Sequence, residues 1–268
     1  MKNNFLKITA LICLAVLTSQ CQLPASNSID GNGNVVTRTY DVMPFDEISV
    51  SLPATVNYTV ANEYSCKVRV DENIFEYLDI RVKDGELILG KLKKNQNVNL
   101  RPTEFVIEVS APSFEELNKA GSGTFNFVTP FEANKLEISL AGSGKVLMEK
   151  TARINDFEMN VAGSGNLVCN ELVADKVDVD IAGSGDVKIK SGNIREMEVS
   201  IAGSGSMDSR AELEELDANV AGSGDITVKV TRTLEYSVMG SGSINYYGNP
   251  VVKGEKLGSG KVKQLRAE

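Results

Sequence analysis

Apolar and polar residues alternate along most of the chain's C-terminal half. Leu136, Ile138 and Leu140 alternate with polar neighbours, and the pattern returns at Phe157, Met159, Val161, then Val177, Val179, Ile181, then Met197, Val199, Ile201. It continues at Leu216, Ala218, Val220 and at Leu234, Tyr236, Val238. Period-two alternation predicts strands with one buried face. Each run ends at Gly-Ser-Gly, after which alternation resumes, as in Phe125 and Phe127, Val146 and Met148, Leu167 and Cys169, Val187 and Ile189, Ile226 and Val228. One repeat therefore holds at least two short strands joined by a glycine corner.

The corners begin at 121, 142, 163, 183, 203, 222, 240 and 258, so the spacing shrinks from 21 to 18 residues. Their glycines are Gly121, Gly123, Gly142, Gly144, Gly163, Gly165, Gly183, Gly185, Gly203, Gly205, Gly222, Gly224, Gly240, Gly242, Gly258 and Gly260. A unit this short cannot bury its apolar face alone, whereas stacked copies bury it in continuous internal columns. The expected fold is all-β, a right-handed parallel β-helix with coils of 18–21 residues, the hand following from the crossover preference of parallel strands. Glycine allows the corner its sharp bend. The central serines, Ser143, Ser164, Ser184, Ser204, Ser223 and Ser241, are expected to stack as a hydroxyl ladder. Lys119 stands where later copies have an apolar residue, as do Gly254 and Lys256, and these read as polar caps on the terminal coils.

Residues 34–110 are β-rich without the corner motif. Strand-like runs cover 35–40, 47–52, 55–60, 66–70, 78–82, 86–89 and 105–110. Lys83-Asp84-Gly85-Glu86 reads as a hairpin turn, and 72–77 as one helical turn. This region either caps the solenoid or begins it with irregular coils. The expected organisation is a signal segment at 1–21, a flexible tether at 22–33, the β-rich part at 34–110 and the repeat region at 111–268.

The start of the chain changes the picture from fold to address. Lys2 and Lys7 precede an apolar run at 8–17, too short to span a bilayer, as in a secretory signal. Leu17-Thr18-Ser19-Gln20-Cys21 is a loose lipobox, with Leu one position early and Gln20 where a small residue is usual. Cys21 is thus a candidate for lipidation and membrane anchoring; ordinary cleavage nearby is the alternative. Cys66 and Cys169 fall on apolar faces and read as buried, inert thiols.

Composition narrows the chemistry. The net charge of −8 argues against nucleic acid as a partner. Lys91, Lys93 and Lys94 form one basic cluster, read as a solvated hairpin end. The absence of His removes the commonest general base and metal ligand. Asn166, Asp186 and Asp225 follow corners as calcium ligands do in glycine-aspartate solenoids, but Lys145, Ser206 and Ser243 interrupt the row. The corner lacks the lysine of a phosphate loop. Asp178 and Asp180 near Glu196 and Glu198 could pair as carboxylates for glycan hydrolysis, but coils of such even length leave no loops to wall a cleft. No catalytic, cofactor-binding or metal residue is assigned, and no cofactor is expected.

The Ala-Gly-Ser-Gly corners, the stretch Gly242-Ser243-Ile244-Asn245-Tyr246-Tyr247-Gly248-Asn249-Pro250 and the opening Phe45-Asp46-Glu47-Ile48 resemble the "putative auto-transporter adhesin, head GIN domain" family (DUF2807) over about residues 40–265. The resemblance implies an exported, often lipidated, β-helical envelope protein of Gram-negative bacteria without catalytic residues. The expected function is a non-catalytic binding, adhesion or surface-interaction module, as an outer membrane lipoprotein meeting a protein or glycan at the cell surface. The alternatives are a periplasmic structural or accessory lipoprotein with no external ligand and, more remotely, a polysaccharide-active β-helix enzyme.

Overall fold

The computed structural model describes residues 27–266; the signal segment, Cys21 and residues 22–26 lie outside the described residues. The architecture is a parallel β-solenoid. The corner glycines 121, 142, 163, 183, 203, 222, 240 and 258 are in register one above another. Side chains one turn apart therefore stack. Leu117, Ile138, Met159, Val179, Val199 and Ala218 form one such internal column, each nearly or fully inaccessible.

The two strands of each turn build two long faces. One runs from Leu78–Lys83 and Glu86–Lys91 through Glu47–Val50 and Glu116–Gly121 to Val251–Gly258. The other runs from Val35–Tyr40, Ser65–Asp71 and Phe105–Ala111 through Thr55–Val60 and Thr124–Phe127 to Lys261–Gln264. In the repeat turns a third, shorter stretch pairs as well, stacking Ala133 on Ile154 and, further along, Ala174, Ile194, Leu213 and Val230. In the 145–163 turn, adjacent exposed pairs, Glu149 with Lys150 and Asn155 with Asp156, mark its two bends.

The corner glycines do two different jobs. Gly183 has φ +127° and a Cβ there would lie 2.5 Å from the Gly163 carbonyl oxygen. Gly185 is buried, and its Cβ would meet Val161 Cγ1 at 2.5 Å and the Gly165 carbonyl oxygen at 2.6 Å. The seam is knitted by backbone. Each serine N–H from Ser143 to Ser241 donates to the first corner glycine one turn back at 2.8–3.1 Å. The expected hydroxyl ladder does not form among the described residues; these serines are exposed, and water satisfies their hydroxyls as readily.

The N-terminal part begins the solenoid and also caps it. Residues 47–60 make a full turn in register with 116–127, with Ser51-Leu52-Pro53-Ala54 at the corner. Above it Glu86–Lys91 and Phe105–Ala111 still pair in parallel, and beyond them the pairing turns antiparallel. The hairpin at Asp84 (φ 53°) and Gly85 (φ 88°) has the two left-handed residues of a type I′ turn, and Glu72–Tyr77 is a 3₁₀ turn. A five-ring cluster fills the junction, with Tyr58 within 4.9–6.4 Å of Phe114, Phe125, Phe127 and Phe131. Tyr58 also donates to the Ala111 carbonyl at 2.9 Å.

Two expectations change here. The flexible tether stops short of residue 33: Ser28–Asp30 pairs in parallel with Asn99–Arg101. Gly33 N–H and Thr103 N–H and hydroxyl donate to the fully buried Asp71 carboxylate at 2.7–2.9 Å. Its polar composition concealed these partners, which lie about forty to seventy residues away in sequence. Lys119 is not a cap exposed to water. The 47–60 turn covers it, placing it between Val50 and Leu140, 1 % exposed. Its ammonium donates to the carbonyls of Ala120 and Ser122.

Candidate functional site

The register that stacks the core also stacks the polar face. Along one outer row, Glu86, Glu47, Glu116, Glu137, Glu158, Asp178, Glu198, Asp217 and Glu235 follow one another turn by turn, and Lys253 ends the file. Nine carboxylates thus stand in single file, about 4.8 Å apart at the backbone. Strand alternation turns each of them outward while its neighbours enter the core.

Like charges directly opposite across strands repel, and the file shows it. Burial first, then the charges of Glu116 and Glu86, raises the Glu47 carboxyl above its ordinary range. Glu137 is raised by burial, Glu158 and Glu116; Glu198 by burial, Asp178 and Asp217; Asp217 by burial and Glu235. Compensation is partial. Lys176 reaches Asp178 at 2.6 Å and Lys135 reaches Glu137 at 3.9 Å. The next outer row supplies amides: Asn118 donates to Glu47 and Glu116 at 3.0 and 2.7 Å, Asn160 to Glu158 at 3.1 Å, and Asn219 to Asp217 at 3.2 Å. Asp178 Oδ1 is inaccessible and without a hydrogen-bond partner. Two adjoining depressions of about 330 and 310 Å³ lie along the file's C-terminal half and share Asp217 and Glu235.

The carboxylates weighed for hydrolysis fall on this face. Asp178 pairs with Glu198, and Glu196 with Lys176, side by side on one sheet rather than across a cleft. The row weighed for calcium is real as a row, with Lys145, Asn166, Asp186, Ser206, Asp225 and Ser243 in register. Asp186 accepts from the Ser206 hydroxyl at 2.5 Å and Asp225 from Ser243 N–H at 2.9 Å. Among the described residues no three acidic or thiol groups are placed to hold a metal. Cys66 and Cys169 are free and buried, and burial pushes both thiols up to about 12.

Of the file's members only Asp178 and Glu198 stood out from the sequence, and the row itself did not. A signal was present: from the first copy to the seventh, the residue five places before the first corner glycine is Glu116, Glu137, Glu158, Asp178, Glu198, Asp217 or Glu235.

The model of the "Putative auto-transporter adhesin, head GIN domain" family matches residues 44–154 and again 137–250. The chain belongs to this family. A crystal structure of a putative lipid binding protein from Parabacteroides distasonis is 33 % identical, covers 89 % of this chain and 100 % of its own, and superposes with a TM-score of 0.86. A putative adhesin from Parabacteroides merdae is 25 % identical over 89 % of this chain and 99 % of its own, with a TM-score of 0.83. A second P. distasonis protein, also a putative adhesin, is 28 % identical over 89 % and 100 %, with a TM-score of 0.81. None of these three is described as an enzyme. No curated protein matches the chain.

Proposed function

We propose that this head GIN protein is an exported envelope module, lipid-anchored through Cys21, whose acidic face docks a cationic surface of a partner protein or glycan without catalysis. The observation that carries this reading is the carboxylate file. Nine like charges are aligned on an open face and only partly neutralised by the chain's own lysines. Repulsion built into a fold is relieved when a complementary surface arrives, which raises both association rate and selectivity. The adhesin descriptions of the two Parabacteroides relatives agree with it.

The test is a glycan and matrix-protein binding screen with the wild-type protein and the Glu158→Gln/Glu198→Gln/Glu235→Gln variant, together with antibody labelling of intact cells. Binding that weakens with added salt and is lost in the variant supports the proposal. Binding that the variant retains removes the acidic face from it. A screen with no binder, on cells whose surface is not labelled, favours the periplasmic accessory role instead.

A further inference from the structure

We propose that Lys93 and Lys94, beside the point where the chain enters the fold, seat the N-terminal end of the solenoid on the anionic lipid headgroups of the membrane that carries Cys21. The inference rests on the proposed anchor, and two independent features of the fold point to it.

The first is how early the chain is fastened. Asn99 N–H donates to the Asn27 carbonyl at 2.9 Å, and Gly31 N–H to Arg101 at 2.9 Å. The strand Ser28–Asp30 lies between these bonds. Asn32 N–H reaches Asn73 Oδ1 at 3.0 Å and Gly33 N–H reaches Asp71 at 2.8 Å. Five residues lie between Cys21 and Asn27, six chain steps with a reach of about 20 Å when fully extended. The far end of the file, at Lys253, is nine turns from Glu86, or about 43 Å. An anchor on so short a lead keeps the entry end, not the far end, at the bilayer.

The second is the charge found there. Residues 87–103 contain Lys91, Lys93, Lys94 and Arg101 and no Asp or Glu. Lys91 is committed to shaping the turn: its ammonium donates to the carbonyls of Gln96 and Val98 at 2.8 and 2.9 Å. Lys93 and Lys94, on the short 3₁₀ turn Lys93–Asn95, are exposed. Their turn leads into Asn99–Arg101, the strand that holds the entering chain, where Asp30 stands beside Arg101. Among the described residues Lys93, Lys94 and Arg101 take part in no ion pair; the same holds for Lys253, Lys256, Lys261 and Lys263 at the far end, so it is the short lead that selects the entry end. Anionic headgroups attract exposed lysines only within about a Debye length, about 8 Å. The short lead lets this turn settle into that range and the far end not, and the acidic face disfavours lying flat on the same surface.

The experiment uses the full chain matured in cells and reconstituted into vesicles of phosphatidylethanolamine with phosphatidylglycerol. A fluorophore is placed at Asn97→Cys or at Ser259→Cys, both exposed positions; the buried thiols of Cys66 and Cys169 stay unlabelled. A headgroup-bound quencher reads proximity, and the mass of the N-terminal peptide reads acylation. The expected result is quenching about threefold stronger at position 97 than at 259. The preference falls away in Lys93→Glu/Lys94→Glu and when phosphatidylglycerol is replaced by phosphatidylcholine. Equal quenching at the two positions on acylated protein, or a preference untouched by the double substitution, overturns the seat while leaving the anchor standing. Unacylated protein that still binds phosphatidylglycerol vesicles through position 97 keeps the seat and overturns the anchor. Unacylated protein that does not bind overturns both.

Discussion

The repeat stack and the N-terminal part solve the same problem by different means. In the stack each turn touches only the turns above and below, so one set of contacts is reused along the column and stability propagates between neighbours. Its unit is the glycine corner, and its cost is that like residues meet like, in the core and on the charged face alike. In the part before residue 112 only the 47–60 turn and the strands laid directly on it continue that stacking. The rest has three antiparallel strand pairs, a ring cluster around Tyr58 and the buried Asp71, none of which follows the repeat. Repetition makes a long surface, and irregularity gives it an end.

The sharpest way to break this contrast is to substitute glycines on both sides of it. Gly183→Val places a branched side chain at φ +127° and 2.5 Å from a carbonyl oxygen, in a seam with no slack. The expected loss is at least about 3 kcal/mol, read as a collapse of the thermal midpoint. Gly33→Ala, at φ +77° with nothing within 4 Å, is expected to cost only about 1–2 kcal/mol. Equal losses at the two sites would remove the stacking argument.

Asp71 is the corresponding single point of failure in the cap. Burial pushes its carboxyl up, but the bonds from Thr103 and Gly33 outweigh burial and hold it below its ordinary value. Its stabilisation is therefore complete above about pH 4, the unfolded value, and is lost as pH falls through the lower folded value. Asp71→Asn is expected to cost about 2 kcal/mol at neutral pH and to flatten the acid limb of the stability curve, measured by urea unfolding. A neutral effect would mean that the entering segment is held by its strand pairing alone.

The stack was readable because its physics is local and repeated. Alternation marks the buried face, glycine marks the bend, and the constant offset between Leu136, Phe157 and Val177 and their corners sets the register. The seven longer strand runs before residue 112 were legible by the same alternation, and the 72–77 turn by its break from it. The short pair Ser28–Asp30 and Asn99–Arg101 was not, because three-residue strands carry no period and their pairing is wholly non-local. Lys119 misled for a related reason: a lysine in an apolar register reads as an end unless the covering turn, 47–60, is known to lack the corner motif. The acidic file could be read only once the turns were aligned.

Lys119 gives the junction a pH signature of its own. Burial pushes its amine down to about 8 from 10.5. Between those values the unfolded chain holds a proton that the folded protein has released, so stability rises with pH across the interval. The full gain is on the order of 3 kcal/mol. Lys119→Met, which continues the apolar column of Val50 and Leu140, is expected to erase that rise. Unfolding midpoints of both proteins between pH 7 and about 10.5 check it. Parallel curves would mean that the ammonium is solvated in the folded protein.

The smallest effect separates the two regions most cleanly, because its sign is opposite to that of Asp71. Carboxyls of the file are raised, so the folded protein holds protons that the unfolded chain gives up, and stability rises as pH falls towards about 4.5, the ordinary glutamate value. Asp71 takes stability away only below that. Glu198→Gln removes one charge from between Asp178 and Asp217. It is expected to stabilise the protein by about 0.5 kcal/mol at low ionic strength, and by less in molar salt, where the Debye length is about 3 Å. Glu63→Gln, at an exposed site in the N-terminal part, is the control and is expected to change nothing. A stabilisation at Glu198 that salt does not diminish would come from packing rather than charge, and the file would then be a by-product of the repeat with no stored repulsion for a partner to relieve.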